Sequence, residues 1–285
     1  MQTQKHYPQL FSFEFYPPKT EAGTESLQKV HQKLARLQPD FFSVTFGAGG
    51  STRDKTYETV IKIEQQGVPA APHLSCVAST RENILDILKG YRDNGIKKIV
   101  ALRGDLPSGM MSAGQFRYAN ELVEFIRAET GDYFQIHVAA YPETHPQARN
   151  ANEDLKNFKR KVEAGANAAI TQYFYNAECY YYFVDACEKM AIDIPIVPGI
   201  MPITNYSQLF RFSDMCGADI PRWLRKKLEC FGDDREQIIA FGLDVVTTLC
   251  QQLLDNGAPG LHFYTLNQAE PTLAILNNLD LPARS

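Results

Sequence analysis

The chain has 285 residues, with 29 Lys and Arg against 33 Asp and Glu, for a formal net charge of −4. At 44% hydrophobic and 22% charged residues the composition is globular, which excludes a disordered or fibrous chain. The mild acidity argues against a nucleic-acid partner, whose phosphates call for dense Lys and Arg, and no uninterrupted apolar run reaches the ~18 residues of a bilayer span.

In chain order, MQTQKHYPQLF lacks the apolar core of a signal peptide. Short apolar runs then alternate with amphipathic stretches. The predicted strands are 11–15 (FSFEF), 41–46 (FFSVTF), 70–77 (AAPHLSCV), 98–103 (KIVALR), 135–141 (QIHVAAY), 168–174 (AAITQYF), 194–201 (IPIVPGIM) and 260–266 (GLHFYTL). Predicted helices lie at about 24–37, 54–66, 80–94, 116–129, 151–164 and 177–191. In the third of these, Thr80 is a candidate N-cap and Gly95 a stop. The long gap before the last strand holds helices at 205–215, 219–229 and 234–255, and a helix at 268–278 closes the chain. Eight strands, each followed by a helix, predict a (β/α)8 TIM barrel over residues 1–285, a single domain with an extra helix between strands seven and eight. An open doubly wound sheet is the rival, but GAGGST at 47–52 does not complete GxGxxG and no phosphate loop of the GxxxxGK[ST] type exists.

Alternation along the strands predicts which side chains face inward. Phe11, Phe13 and Phe15 oppose Ser12 and Glu14, and Phe42, Val44 and Phe46 oppose Ser43 and Thr45. Leu74 and Cys76 oppose His73 and Ser75; Val100 and Leu102 oppose Ala101, Arg103 and Asp105; Val138 and Ala140 oppose His137, Ala139 and Tyr141. The bulky face packs on the helices, leaving a small, polar interior. Polar residues also gather at the carboxyl ends of strands, where barrel sites form. Any one of them can be a satisfied structural group; their convergence favours a site for a flat polar ligand.

Glu14, between two phenylalanines, is expected to be desolvated, with a raised pKa suited to a general acid. A salt bridge, for instance to Arg103, is the structural alternative. Arg103-Gly104-Asp105 reads as a strand-end binding loop, and YPETHPQA at 141–148 offers Tyr141, Glu143 and His145 for binding. No HxH or HExxH spacing supports a metal. The six cysteines, without a CxxC pair, read as reduced thiols of a cytoplasmic protein. The aromatics from Tyr173 to Phe183 can stack a ring or simply form core.

The strings FSFEFYPPKT (11–20), SVTFGAGGSTRDKT (43–56), IVALRGDLP (99–107), AAYPETHPQA (139–148), PGIMPITN (198–205) and GLHFYTLN (260–267) together resemble the flavin-dependent methylenetetrahydrofolate reductases in their short bacterial form. The resemblance implies a barrel holding FAD non-covalently. NADH or NADPH reduces the flavin, which then reduces 5,10-methylenetetrahydrofolate to 5-methyltetrahydrofolate by ping-pong exchange in one pocket, supplying methyl groups for methionine synthesis. It implies Glu14 as general acid and Asp105 as the acidic residue near flavin and pterin. Gln172, Gln208, Phe212, Gln268, Asp105 and Thr45 are implied on the substrate side. For FAD it implies Thr45, Phe46, Ala48, His73, Arg103, Gly104, Asp105, Tyr118, Ala119, Tyr141, His145, Ala148, Asp154, Asn157, Arg160 and Lys161. Arg160 and Lys161 suit the pyrophosphate. Gln268 stands where the family carries Arg, and Phe46 where Tyr is common. A homotetramer is also implied, with no nucleic-acid or membrane partner and no metal. A flavin-free barrel enzyme, and a catalytically silent folate or flavin binder, are the alternatives; yellow colour and bleaching by NADH discriminate among them.

Overall fold

A computed structural model describes residues 1–46, 53–104 and 114–279. Its strands are β1 (Leu10–Phe15), β2 (Phe41–Val44), β3 (Ala70–Ser75), β4 (Lys98–Leu102), β5 (Gln135–Ala140), β6 (Ala168–Thr171), β7 (Ile196–Val197), β8 (Gly199–Ile200) and β9 (Gly260–Tyr264). All pairings are parallel, in the order β7-β6-β5-β4-β3-β2-β1-β9-β8. The two ends of that order are halves of one run, so the barrel is nearly closed. The predicted seventh strand is thus split: β7 pairs with β6 and β8 with β9. Pro198 separates them because it has no N–H for the ladder, while its carbonyl accepts from His262 N at 2.9 Å. Gly199 is required beside it. A Cβ there would lie 2.1 Å from the Thr171 carbonyl and 2.8 Å from Tyr264 Oη, which donates to that carbonyl at 2.7 Å.

The helices are α1 (Glu21–Ala35), α2 (Arg53–Gln65), α3 (Arg81–Asp93), α4 (Ala119–Thr130), α5 (Ala151–Glu163), α6 (Ala177–Lys189), α7 (Tyr206–Cys216), α8 (Arg222–Phe231), α9 (Arg235–Asp255) and α10 (Glu270–Asn277). The expected Thr80 cap forms, its hydroxyl accepting from Asn83 N at 3.2 Å, and Gly95 follows α3 with φ +81°. Three helices fill the span between β8 and β9, as the spacing predicts. By length and composition α9 is also long and apolar enough to cross a bilayer, but here its buried residues, among them Val246, Leu249 and Leu253, join the core.

Outside the barrel wall, Phe15 stacks on Phe42 at 5.0 Å, with His31 of α1 against both rings, and Phe13 lies 6.0 Å from Phe263; all four phenylalanines are buried. Burying each such side chain contributes roughly 1.5–3 kcal/mol. The expected outward phenylalanine face is therefore present. The fourth strand is the exception. Its register pairs His73 with Val100 and Ser75 with Leu102, so Val100 and Leu102 face inward and Ala101 joins the outer core. Inside, Phe41, Ala71, Val100 and Ile170 form an apolar plug with Leu102 and Tyr264 against it. The expected polar interior is thus interrupted by this plug, against which the buried His137 packs, its ring 5.0 Å from Phe41. Of the aromatic cluster, Tyr173, Phe174, Tyr175, Tyr180 and Phe183 are core, whereas Tyr182 is 80% exposed. All six cysteines are free thiols.

Candidate active site at the carboxyl end of the barrel

Parallel register places β1, β3 and β9 so that their inward side chains meet. Ser12 lies opposite His262, and Glu14 opposite Tyr264 and Ser43. Glu14 Oε2 sits 3.2 Å from His73 Nε2 and 3.6 Å from His262 Nε2, close charge contacts that do not align as hydrogen bonds. On the far side of the ring, His262 Nδ1 is 2.7 Å from Ser12 Oγ. The result is a buried line from Ser12 through His262 to Glu14. Glu14 keeps 16% of its side-chain surface, open toward the barrel mouth, while His262 keeps none.

The electrostatics correct the expectation for Glu14. Burial does push its carboxyl upward, but the charges and contacts of His73 and His262 outweigh it and hold the group down at about 2. Burial lowers His262, with Glu14 acting in the opposite sense. Its protein neighbours therefore hold Glu14 as an anion, and they are imidazoles rather than Arg103. Sequence reasoning assigned no role to His262 or Ser12. The signal was there: Ser12 shares a face with Glu14, and the His of HFYTLN is two residues from Tyr264.

The backbone around Glu14 is fastened from the turn that follows β9. Thr265 Oγ1 donates to the Glu14 carbonyl at 2.6 Å, and Asn267 bridges Tyr16 through its side-chain oxygen at 3.0 Å and nitrogen at 2.9 Å. Gln268 follows immediately, its N–H capping the Thr265 carbonyl. Thr45 follows β2, its carbonyl accepting from Thr56 Oγ1, and Phe46 is next. Ala48 and Asp105 lie outside the described residues. Gly104 has φ +82°, and a Cβ there would meet Ser75 Oγ at 1.9 Å, so packing alone demands a glycine.

A second group lies along β5, its following loop and α5. Tyr141 and His145 contact edge-to-face at 4.5 Å. Asp154 accepts the His145 N–H at 2.7 Å, and the His145 carbonyl accepts from Ala148 N. Arg103 bonds the Gln147 amide oxygen, Arg160 the Asn157 amide oxygen, and Lys161 the Ala139 carbonyl. Among the described residues none of these three cations has a carboxylate within ion-pair distance. Burial lowers Lys161 to about 8, opposed by Asp154. Cations satisfied only by neutral oxygens fit a phosphate-bearing ligand. Tyr118, 59% exposed, precedes Ala119 at the start of α4 with no side-chain cap.

The third group is β6 and α7. Gln172 folds back, its side-chain oxygen accepting from Tyr173 N, and it lines a cleft with Tyr141 and Tyr173. Gln208 and Phe212, four residues apart, share one stripe of α7, and both are half-buried. Among the described residues no cluster of His, Cys, Asp and Glu could hold a metal ion.

Residues 1–280 match the family described as methylenetetrahydrofolate reductase. The 5,10-methylenetetrahydrofolate reductases of Salmonella typhimurium and Escherichia coli are 44% and 43% identical over 269 residues, covering 94% of this chain and 90% of theirs. The methylenetetrahydrofolate reductase (NADH) 1 of Arabidopsis thaliana is 41% identical, covering 95% of this chain and 48% of its own. Among solved structures, a Clostridium thermocellum protein described as binding two copies of 5-methyl-5,6,7,8-tetrahydrofolic acid superposes with a TM-score of 0.70 at 16% identity, over 97% of this chain and 96% of that one, and so shares the fold. The chain belongs to the methylenetetrahydrofolate reductase family.

Proposed function

We propose that the protein reduces 5,10-methylenetetrahydrofolate to 5-methyltetrahydrofolate, with FAD held non-covalently and NADH or NADPH as reductant. Family membership supplies the reaction; the observation that carries the site is the Glu14 carboxylate at the barrel mouth, backed by His262 and Ser12. Bound FAD supplies the hydride carrier between the two partners. Arg103, Arg160 and Lys161 suit its pyrophosphate, Asp154 a hydrogen bond from a ribose hydroxyl or the adenine amino group, and Tyr141 and His145 a ring edge. Thr45, Phe46, His73, Gly104, Tyr118, Ala119, Ala148 and Asn157 complete that wall, with Ala48 and Asp105.

Glu14 is the proton donor to the folate amine in this reading. Its protein neighbours alone keep it ionised, so it must gain its proton when cofactor and substrate bind. Burial already acts to raise its pKa, and covering its open 16% with flavin and pterin acts further in that direction. His262, held from behind by Ser12, keeps its other ring nitrogen toward Glu14 and so orients the carboxyl that takes up the proton at the open mouth. Gln172, Gln208, Phe212 and Gln268 orient the folate. The homotetramer belongs to the same reading and is checked by sedimentation.

The test is anaerobic. Purified protein should be yellow, should bleach with NADH or NADPH, and should recover its colour on adding 5,10-methylenetetrahydrofolate. Protein that bleaches but never recovers with folate would overturn the assignment of substrate.

A further inference from the structure

Glu143 lies in the loop after β5, between Tyr141 and His145, and its carboxylate reaches across to α6 and the segment after α7. Its Oε2 accepts the backbone N–H of Asp219 at 2.8 Å, just past α7, and its Oε1 the thiol of Cys179 on α6 at 3.6 Å. A second tether runs from Tyr173, whose hydroxyl is 3.0 Å from Ser213 Oγ and 3.4 Å from Cys216 Sγ, both on α7. Elsewhere the helix is held by Tyr206, Phe212 and Cys216 packing partly against the core and by the Tyr206 hydroxyl donating to Glu229 at 3.4 Å. Leu209 and Ser213 are its buried residues, while Phe210 is 48% and Met215 71% exposed. The seam between loop and helix is close: the cleft lined by Glu143, Tyr173 and Cys216 encloses about 10 Å³, about the least that holds one water. Across it, a Cβ on Gly217 would come within 2.5 Å of Pro146. The loop bends sharply to reach, with Thr144 at φ +81°. Burial raises the Glu143 carboxyl, opposed by the bonds from Asp219 and Cys179.

We infer that Glu143 is a positioning residue: it clasps α7 to the loop carrying Tyr141 and His145, and so sets the position of Phe212 and Gln208 over the barrel mouth. The inference rests on the reading of α7 as the substrate-facing helix. Glu143 itself touches no substrate. It couples the cofactor wall to the substrate wall mechanically, through one peptide N–H.

The test uses the FAD-loaded protein and three variants, Glu143→Ala, Glu143→Gln and Glu143→Asp, with Phe212→Ala as the control. Glu143→Ala should keep FAD and a limiting rate of flavin reoxidation by folate within about twofold, while the half-saturating folate concentration rises about tenfold, the worth of one charge-assisted hydrogen bond. Glu143→Gln should restore the parental value, because its amide oxygen still accepts from Asp219 N. Glu143→Asp, one methylene too short, should weaken folate as the Ala variant does, and serves if that variant does not fold. Parental folate affinity in Glu143→Ala or Glu143→Asp, with Phe212→Ala impaired, would overturn the clasp and leave the site reading intact. Parental affinity in Phe212→Ala would overturn the reading of α7 itself. Loss of FAD in Glu143→Asp would also overturn the clasp, since Glu143 would then support the cofactor loop alone.

Discussion

Replacing Glu14 by Gln tests the electrostatics of the site through the sign of one free energy. Burial pushes the carboxyl upward, yet the imidazoles of His73 and His262 draw it from 4.5 to about 2. A group whose folded pKa lies below its unfolded one stabilises the fold above the unfolded value and loses that contribution as the pH falls through the folded one. At ~1.4 kcal/mol per decade, the shift amounts to about 3 kcal/mol near neutral pH. Gln has the shape of the protonated acid and cannot carry that contribution. Glu14→Gln should therefore be less stable than the parent by about 3 kcal/mol near neutral pH, the gap falling to roughly half by about pH 3.

Urea denaturation of the flavin-free proteins across that pH range reads the difference. A variant as stable as the parent, or more stable, at neutral pH would refute the reasoning: burial would then dominate and the carboxyl would already be protonated without ligands. The same variant has a catalytic readout. It should load FAD and accept hydride from the nicotinamide at the parental rate, while flavin reoxidation by folate slows by ~10²–10⁴. Unaltered folate turnover would remove Glu14 from the acid role.

Lys161→Met should weaken FAD by about 10- to 100-fold in reconstitution titrations, and in the parent FAD affinity should fall as the pH rises past about 8 and the ammonium is lost; affinity equal in both proteins would place the pyrophosphate elsewhere. His137 is buried, and burial, with a smaller effect of Lys98, lowers it from 6.5 to about 3. The unfolded chain then binds the extra proton between those values, so this group withdraws about 2 kcal/mol of stability between about pH 7 and pH 5. His137→Leu should gain on the parent by that amount over the interval, and parallel pH profiles in denaturant would show that His137 titrates normally. Gly199→Ala should cost on the order of 3 kcal/mol by driving a methyl into the Thr171 carbonyl and Tyr264, read as a lower denaturation midpoint; an unchanged midpoint would mean the β7–β8 break has room to shift.

The barrel was legible because its period is local: each strand-and-helix unit carries its own apolar alternation, cap and stop, as Thr80 and Gly95 show around α3. Inward facing was legible for β1, where alternating phenylalanines mark the outer wall. It failed for β4, because Ile99, Val100, Ala101 and Leu102 are all apolar and only the register against His73 and Ser75 selects the face. The break at Pro198 was a local signal, but whether a proline interrupts a strand or sits between two pairings depends on what closes the barrel, which is not local. The state of Glu14 was the least legible feature. A carboxylate between two phenylalanines has one sequence context and two opposite outcomes, raised if solitary and lowered if paired. The deciding imidazoles lie 59 and 248 residues further along the chain. Ser12 and His262 become neighbours only because the first and last strands pair in parallel, with Ser12 opposite His262. The same long-range pairing makes the proton donor dependent on barrel closure. A substitution that loosens β9 against β1, far from any ligand, should therefore release Glu14 from His262 and slow folate reduction before it slows reduction of the flavin.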